Sequence, residues 1–154
     1  MKKVIGVAIV CLLVLGMLVG CESSRTAITA DTFVEKTAAA DYQTGDVTSQ
    51  FASQADLVKS VTLALKDAYQ IEVFVFTDEG VATTSYNTNK ATAEAAKVSS
   101  STSKSVSMGN YSYYYLTTGD QYYVVSRIDN TMIFAHCGTE YKAELEKMVS
   151  ELGY

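Results

Sequence analysis

The sequence predicts an α+β domain, with an antiparallel sheet of about five strands and helices packed on one face. Three observations lead there. Residues 111–137 hold three alternating apolar–polar runs separated by Gly119-Asp120 and Asp129-Asn130, dipeptides suited to two-residue hairpin turns with positive φ. Val61, Leu63 and Leu65 alternate with Thr62, Ala64 and Lys66, and a second alternating run follows over 69–76. Three segments with helix-start signals fall before, between and after these strand groups. The order is therefore helix, hairpin, helix, three-stranded meander, helix.

The chain opens with Met1-Lys2-Lys3, a short basic stretch, and residues 4–19 are then apolar or Gly without interruption. As a helix that run would be about 24 Å long, short of the roughly 30 Å hydrocarbon core of a bilayer. A charged start, a short apolar run and a small residue at its end describe a secretory signal better than an uncleaved anchor helix. Leu18-Val19-Gly20-Cys21 resembles the lipobox of bacterial lipoproteins. The resemblance implies diacylglycerol on the Cys21 thiol, cleavage between Gly20 and Cys21, and acylation of the new N-terminus by palmitate or a similar chain. One acyl chain holds a membrane only marginally, and two or more anchor it stably. The expected organisation is a signal peptide over 1–20, a lipidated tether over 21–27 and one α+β domain over 28–154. The expected address is the outer face of the cytoplasmic membrane, or an outer membrane if the host is Gram-negative. The domain is also loosely similar to small lipoproteins of Gram-positive bacteria, a similarity that names no function.

Thr29 can cap the first helix, with Asp31 in its first turn and Ile28 and Phe33 placed as a hydrophobic staple; it should run to about Ala40. Residues 42–51 read as loop with a short strand at 46–48. Residues 57–76 read as the hairpin, and a single helix over 55–66 is the competing reading. Asp78 caps a weakly amphipathic helix to about Lys97, rich in Thr, Ser and Asn, which needs tertiary packing to hold it. Residues 99–105, almost all Ser, Thr and Lys, read as a flexible linker. After the meander, Gly138-Thr139 opens a last helix whose Tyr141, Leu145, Met148, Val149 and Leu152 form one apolar stripe, ended by Gly153.

Without residues 1–20, 134 residues remain, enough for one real core, with ten basic against seventeen acidic side chains. Only two are arginines, Arg25 and Arg127, so the net charge of −7 argues against nucleic acid as a partner and against adhesion to anionic lipid by charge. Cys11 would leave with the signal and Cys21 would carry lipid, so Cys137 stands alone. A lone cysteine outside the cell is either a reactive thiol or a small buried hydrophobe, and its apolar strand favours burial.

The two turns fix the register of the meander, pairing 118 with 121 and 128 with 131. One face then carries Tyr111, Tyr113, Tyr115, Tyr122, Val124, Ser126, Ile128, Ile133, Ala135 and Cys137, and is assigned to the helix-packed core. The other carries Tyr114, Tyr123, Arg127, Phe134 and His136, and is the candidate ligand face; its alternative reading is the plain outer surface of a small sheet. His136 and Cys137 are strand neighbours and point to opposite faces, which removes both a Cys–His nucleophile pair and a shared zinc site. The chain has no phosphate-binding glycine loop, dinucleotide fingerprint, calcium-loop pattern or serine elbow. No metal or cofactor is implied. The function expected is a non-enzymatic, membrane-tethered binding or interaction module, whose partner is an envelope protein or a small ligand. The alternatives are an accessory structural subunit of an envelope complex and a carboxylate-dependent hydrolase.

Overall fold

The computed structural model describes residues 24–154. One seven-stranded antiparallel sheet forms its centre: β1 (Gln43–Asp46), β2 (Val58–Lys66), β3 (Tyr69–Phe76), β4 (Thr102–Met108), β5 (Tyr111–Thr118), β6 (Gln121–Ile128) and β7 (Thr131–Gly138). The spatial order is β1-β2-β3-β7-β6-β5-β4. The α-helices are α1 (Ala30–Ala39), α2 (Glu79–Ala95) and α3 (Lys142–Glu151), with 3-10 turns at Thr48–Gln54 and Thr139–Tyr141.

The meander forms in the register its turns dictate, with Thr118 opposite Gln121 and Ile128 opposite Thr131. Gly119 and Asp129 both take positive φ in those turns, as does Asp67 between β2 and β3. Residues 55–66 do not form a helix. Alternation wins there because β2 pairs with β3 from Val58 to Lys66 and with β1 over Thr62–Leu65, which satisfies much of its backbone on both sides.

Two strands more than expected complete the sheet. The expected linker contains β4, whose Lys104, Val106 and Met108 lie opposite Tyr115, Tyr113 and Tyr111. Gly109-Asn110 closes that hairpin, with Gly109 at φ +55°. Ser and Thr are tolerated there because β4 is an edge strand whose side chains are almost all exposed. The first short strand lies at Gln43–Asp46 rather than 46–48, because Asp41 turns the chain with φ +66° and brings Gln43 opposite Leu65.

A second correction concerns the layers: helices pack on both faces of the sheet, not one. On the first face α1 and α3 bury Phe33, Leu145, Met148, Val149 and Leu152 against Ile71, Tyr122, Val124, Ile133 and Ala135. On the second, α2 buries Ala82, Tyr86 and Ala93 against Val61, Phe76, Tyr114, Leu116, Val125 and Met132. The topology requires this crossing. β7 sits between β3 and β6, so the chain leaving β3 must pass β7, β6 and β5 to reach β4. Seventeen helical residues span about 25 Å, against about 19 Å across four strand spacings. The Asp78 side chain caps the start of α2 by accepting from Val81 N–H, and Thr118 Oγ1 donates to Ala96 O where it ends.

Candidate functional site

The second face supplies the candidate site, in two unequal parts. α2 runs obliquely from the end of β3 to the end of β5 and covers the Arg127–Tyr114 side. Tyr114 is 1% exposed, with Lys90 and Lys97 Nζ 5.3 and 5.8 Å from its ring centre. Arg127 is 5% exposed; its Nη1 donates to Glu79 Oε1 at 2.9 Å and to Asp129 O at 3.0 Å. Neither side chain is available to a ligand. Arg127 is a tie between the sheet and the first turn of α2.

The other part of this face is more open. Tyr123 and His136 are directly opposed on β6 and β7, and their rings stack with centres 5.7 Å apart and planes 15° apart. The Phe134 ring lies 6.2 Å from that of His136. His136 is exposed, and Tyr123 and Phe134 are half-buried. Thus three of the five expected residues form one strip, and two lie under α2.

Pairing of β3 with β7 adds neighbours that the sequence did not single out. Gln70 lies opposite His136 and Glu72 opposite Phe134. Gln70 Nε2 donates to Glu72 Oε1 at 2.7 Å. Burial pushes the Glu72 carboxyl above the usual carboxylate range, while the bond from Gln70 pulls the other way. A shallow depression of about 340 Å³ adjoins the strip, lined by Leu65, Asp67, Ala68, Tyr69, Gln70 and His136. The nearest signal in the sequence is the alternation of Gln70 and Glu72 with Ile71 and Val73, which places both polar residues on one face of β3. What no local pattern encodes is which strand they meet. The strip offers ring faces and edges, an amide and a partly desolvated carboxyl, a set that suits stacking and hydrogen bonding to a ligand.

Cys137 points to the opposite face and is 2% exposed. Desolvation, with Glu140 and Glu146 adding to it, pushes its thiol up to about 11, so it stays protonated and unreactive at neutral pH. Among the described residues no three His, Cys, Asp or Glu side chains gather as a group able to hold a metal. A second depression, about 230 Å³, lies between the end of α1 and α3 and is bordered by Asp41, Glu144 and Glu151. Two of those acids are already engaged: Glu144 by Lys66 at 2.6 Å and Glu151 by Lys147 at 3.8 Å. Lys66 also donates to Ala40 O, which ties β2 to the end of α1. Cys21 lies outside the described residues.

Comparisons with protein-family models, with curated proteins and with solved structures return no match.

Proposed function

We propose that this chain is a membrane-anchored extracytoplasmic lipoprotein, held by lipid on Cys21, whose domain is a non-enzymatic binding module. Leu18-Val19-Gly20-Cys21 at the end of a short apolar run supports the anchor. The observation that carries the binding role is the Tyr123–His136–Phe134 strip, in which an exposed imidazole stacks beside two half-buried rings next to Gln70 and Glu72. Its partner is a small polar-aromatic or sugar-like ligand, or a segment of an envelope protein, bound by stacking on the rings with hydrogen bonds to Gln70 and Glu72.

Two measurements test the two halves of this reading. Cells fed labelled palmitate should incorporate it into the wild-type chain and not into Cys21→Ser; equal labelling of both removes the anchor. Residues 22–154, made without lipid, should gain thermal stability with one of a panel of peptidoglycan fragments, sugars and short peptides. At a hundred times the dissociation constant the gain is about 2.7 kcal/mol. Tyr123→Ala or His136→Ala should abolish the shift. A shift that survives both variants places binding elsewhere, and silence across the panel leaves the protein-partner form, to be sought by crosslinking on intact cells.

A further inference from the structure

We infer that the domain stands on the membrane in a defined direction, with the β4–β5 and β6–β7 turns toward the lipid and the Tyr123–His136 pair nearer the far end of the sheet. This rests on the lipid anchor at Cys21.

The observation behind it is how firmly the chain is fastened just after that cysteine. Arg25 is exposed, yet four contacts hold it. Its backbone N–H donates to Asn110 Oδ1 at 3.0 Å, and Asn110 Nδ2 returns a bond to Arg25 O at 2.7 Å. Its guanidinium lies 3.7 Å from the centre of the Tyr111 ring, and its Nη1 donates to Gly153 O at 3.2 Å. Asn110 Nδ2 also donates to Asp129 Oδ1 at 2.9 Å, so one side chain joins the tether, the β4–β5 turn and the β6–β7 turn. The expected free tether over 21–27 is therefore shorter: it is fixed from Arg25, and Ala27 and Ile28 already pack on the core.

Four residue steps separate Cys21 from Arg25, a reach of at most about 14 Å. The eight residues of β5 span about 27 Å, so the lipid attachment point cannot reach the Gly119-Asp120 end of the sheet. Tyr123 and His136 lie toward that far end, opposite Leu116 and Gln70, and the depressions around the β2–β3 turn lie there too. Asp56, Asp78, Glu79 and Asp129 sit at the near end with Arg25, Lys59 and Arg127, and Arg127 already pairs with Glu79. With acids outnumbering bases, charge gives the near end no net attraction to anionic lipid, and the short fastened tether sets the direction.

The full lipidated chain, purified from membranes and reconstituted in phosphatidylcholine vesicles carrying a headgroup nitroxide lipid, tests this. A thiol-reactive fluorophore is placed singly at Ser107→Cys, Asp56→Cys and Asp120→Cys; buried Cys137 does not compete for it. Ser107 and Asp56 lie on opposite sides of the near end, and Asp120 lies in the far turn. With about 27 Å between the two ends, quenching at 107 and 56 should exceed that at 120 by at least about twofold. Arg25→Ala combined with Asn110→Ala, which removes the guanidinium contacts and both backbone bonds, should narrow that contrast by lengthening the slack to Ile28, without releasing the chain from the vesicles. A chain that floats with the vesicles but is quenched at 120 as strongly as at 56 overturns the orientation alone. A chain that does not float overturns the anchor and the orientation with it.

Discussion

The two faces of the sheet are built by the same strands but close to different extents. α1 and α3 together bury the middle of the first face, where Tyr122, Val124, Ile128, Ile133 and Ala135 are all 0% exposed, and leave Tyr113 and Tyr115 half-buried at its side. The second face is covered by one α-helix, α2, with Phe51 of the 3-10 turn set against Phe74 at its edge. That helix must reach from β3 to β4, so it crosses obliquely, and its buried contacts are two alanines and one tyrosine. Alanines bring the helix close but bury little apolar area. The strip formed by Tyr123, Phe134 and His136 is what that crossing leaves uncovered. Closure of a sheet face thus depends on the path of the connection as well as on the pattern of the strands.

The largest expected effect contrasts the core of the first face with the more open strip on the second. Leu145→Ala, on the fully buried side of α3, should lower stability by about 2–5 kcal/mol, and Tyr123→Ala by less than about 1 kcal/mol. Urea denaturation of both variants checks this, and similar losses would mean that the strip belongs to the core. Arg127→Ala tests the covered part of the second face. It removes a buried stem and two hydrogen bonds but leaves Glu79 in solvent, so the expected loss is about 1–3 kcal/mol. A loss near zero would mean that α2 does not depend on this tie.

The mildest contrast comes from alkaline pH. Burial shifts the ionisation of Tyr42, Tyr69, Tyr111, Tyr113, Tyr122 and Tyr154 on the first face to higher pH, and pushes the Cys137 thiol there from 9.0 to about 11. Below about pH 8 these groups keep their protons in both states, so stability does not depend on them. Above that value the unfolded chain gives up its protons first, and stability falls until the folded values are passed. The urea midpoint should therefore hold from pH 7 to 8 and drop by pH 10.5. Cys137→Ala should delay the onset toward the ordinary tyrosine range.

Much of the fold is legible in particular residues. Gly119-Asp120 and Asp129-Asn130 fix the meander and the sharing of faces. Thr29 and Asp78 mark two helix starts by capping Thr32 and Val81 N–H. β4 was obscured because an exposed edge strand needs no apolar alternation, although Gly109-Asn110 just before Tyr111 signals the hairpin. Of the candidate site, Tyr123, Phe134 and His136 could be placed on one face by counting alone. The burial of Tyr114 and Arg127 could not, since nothing within the meander states where a helix earlier in the chain will lie. Gln70 and Glu72 join the strip only through the β3–β7 pairing, a long-range contact that no local pattern encodes.

The sequence by itself determined the three strands of the meander, their turns and register, and which of their side chains share a face, because these follow from side-chain period and backbone conformation over a few residues. Tertiary structure decided the insertion of β7 between β3 and β6, the covering of each face, and the fastening of Arg25 to Asn110 and Gly153. Those choices depend on burying apolar area between segments distant in the chain, a sum over the whole domain that no single stretch carries.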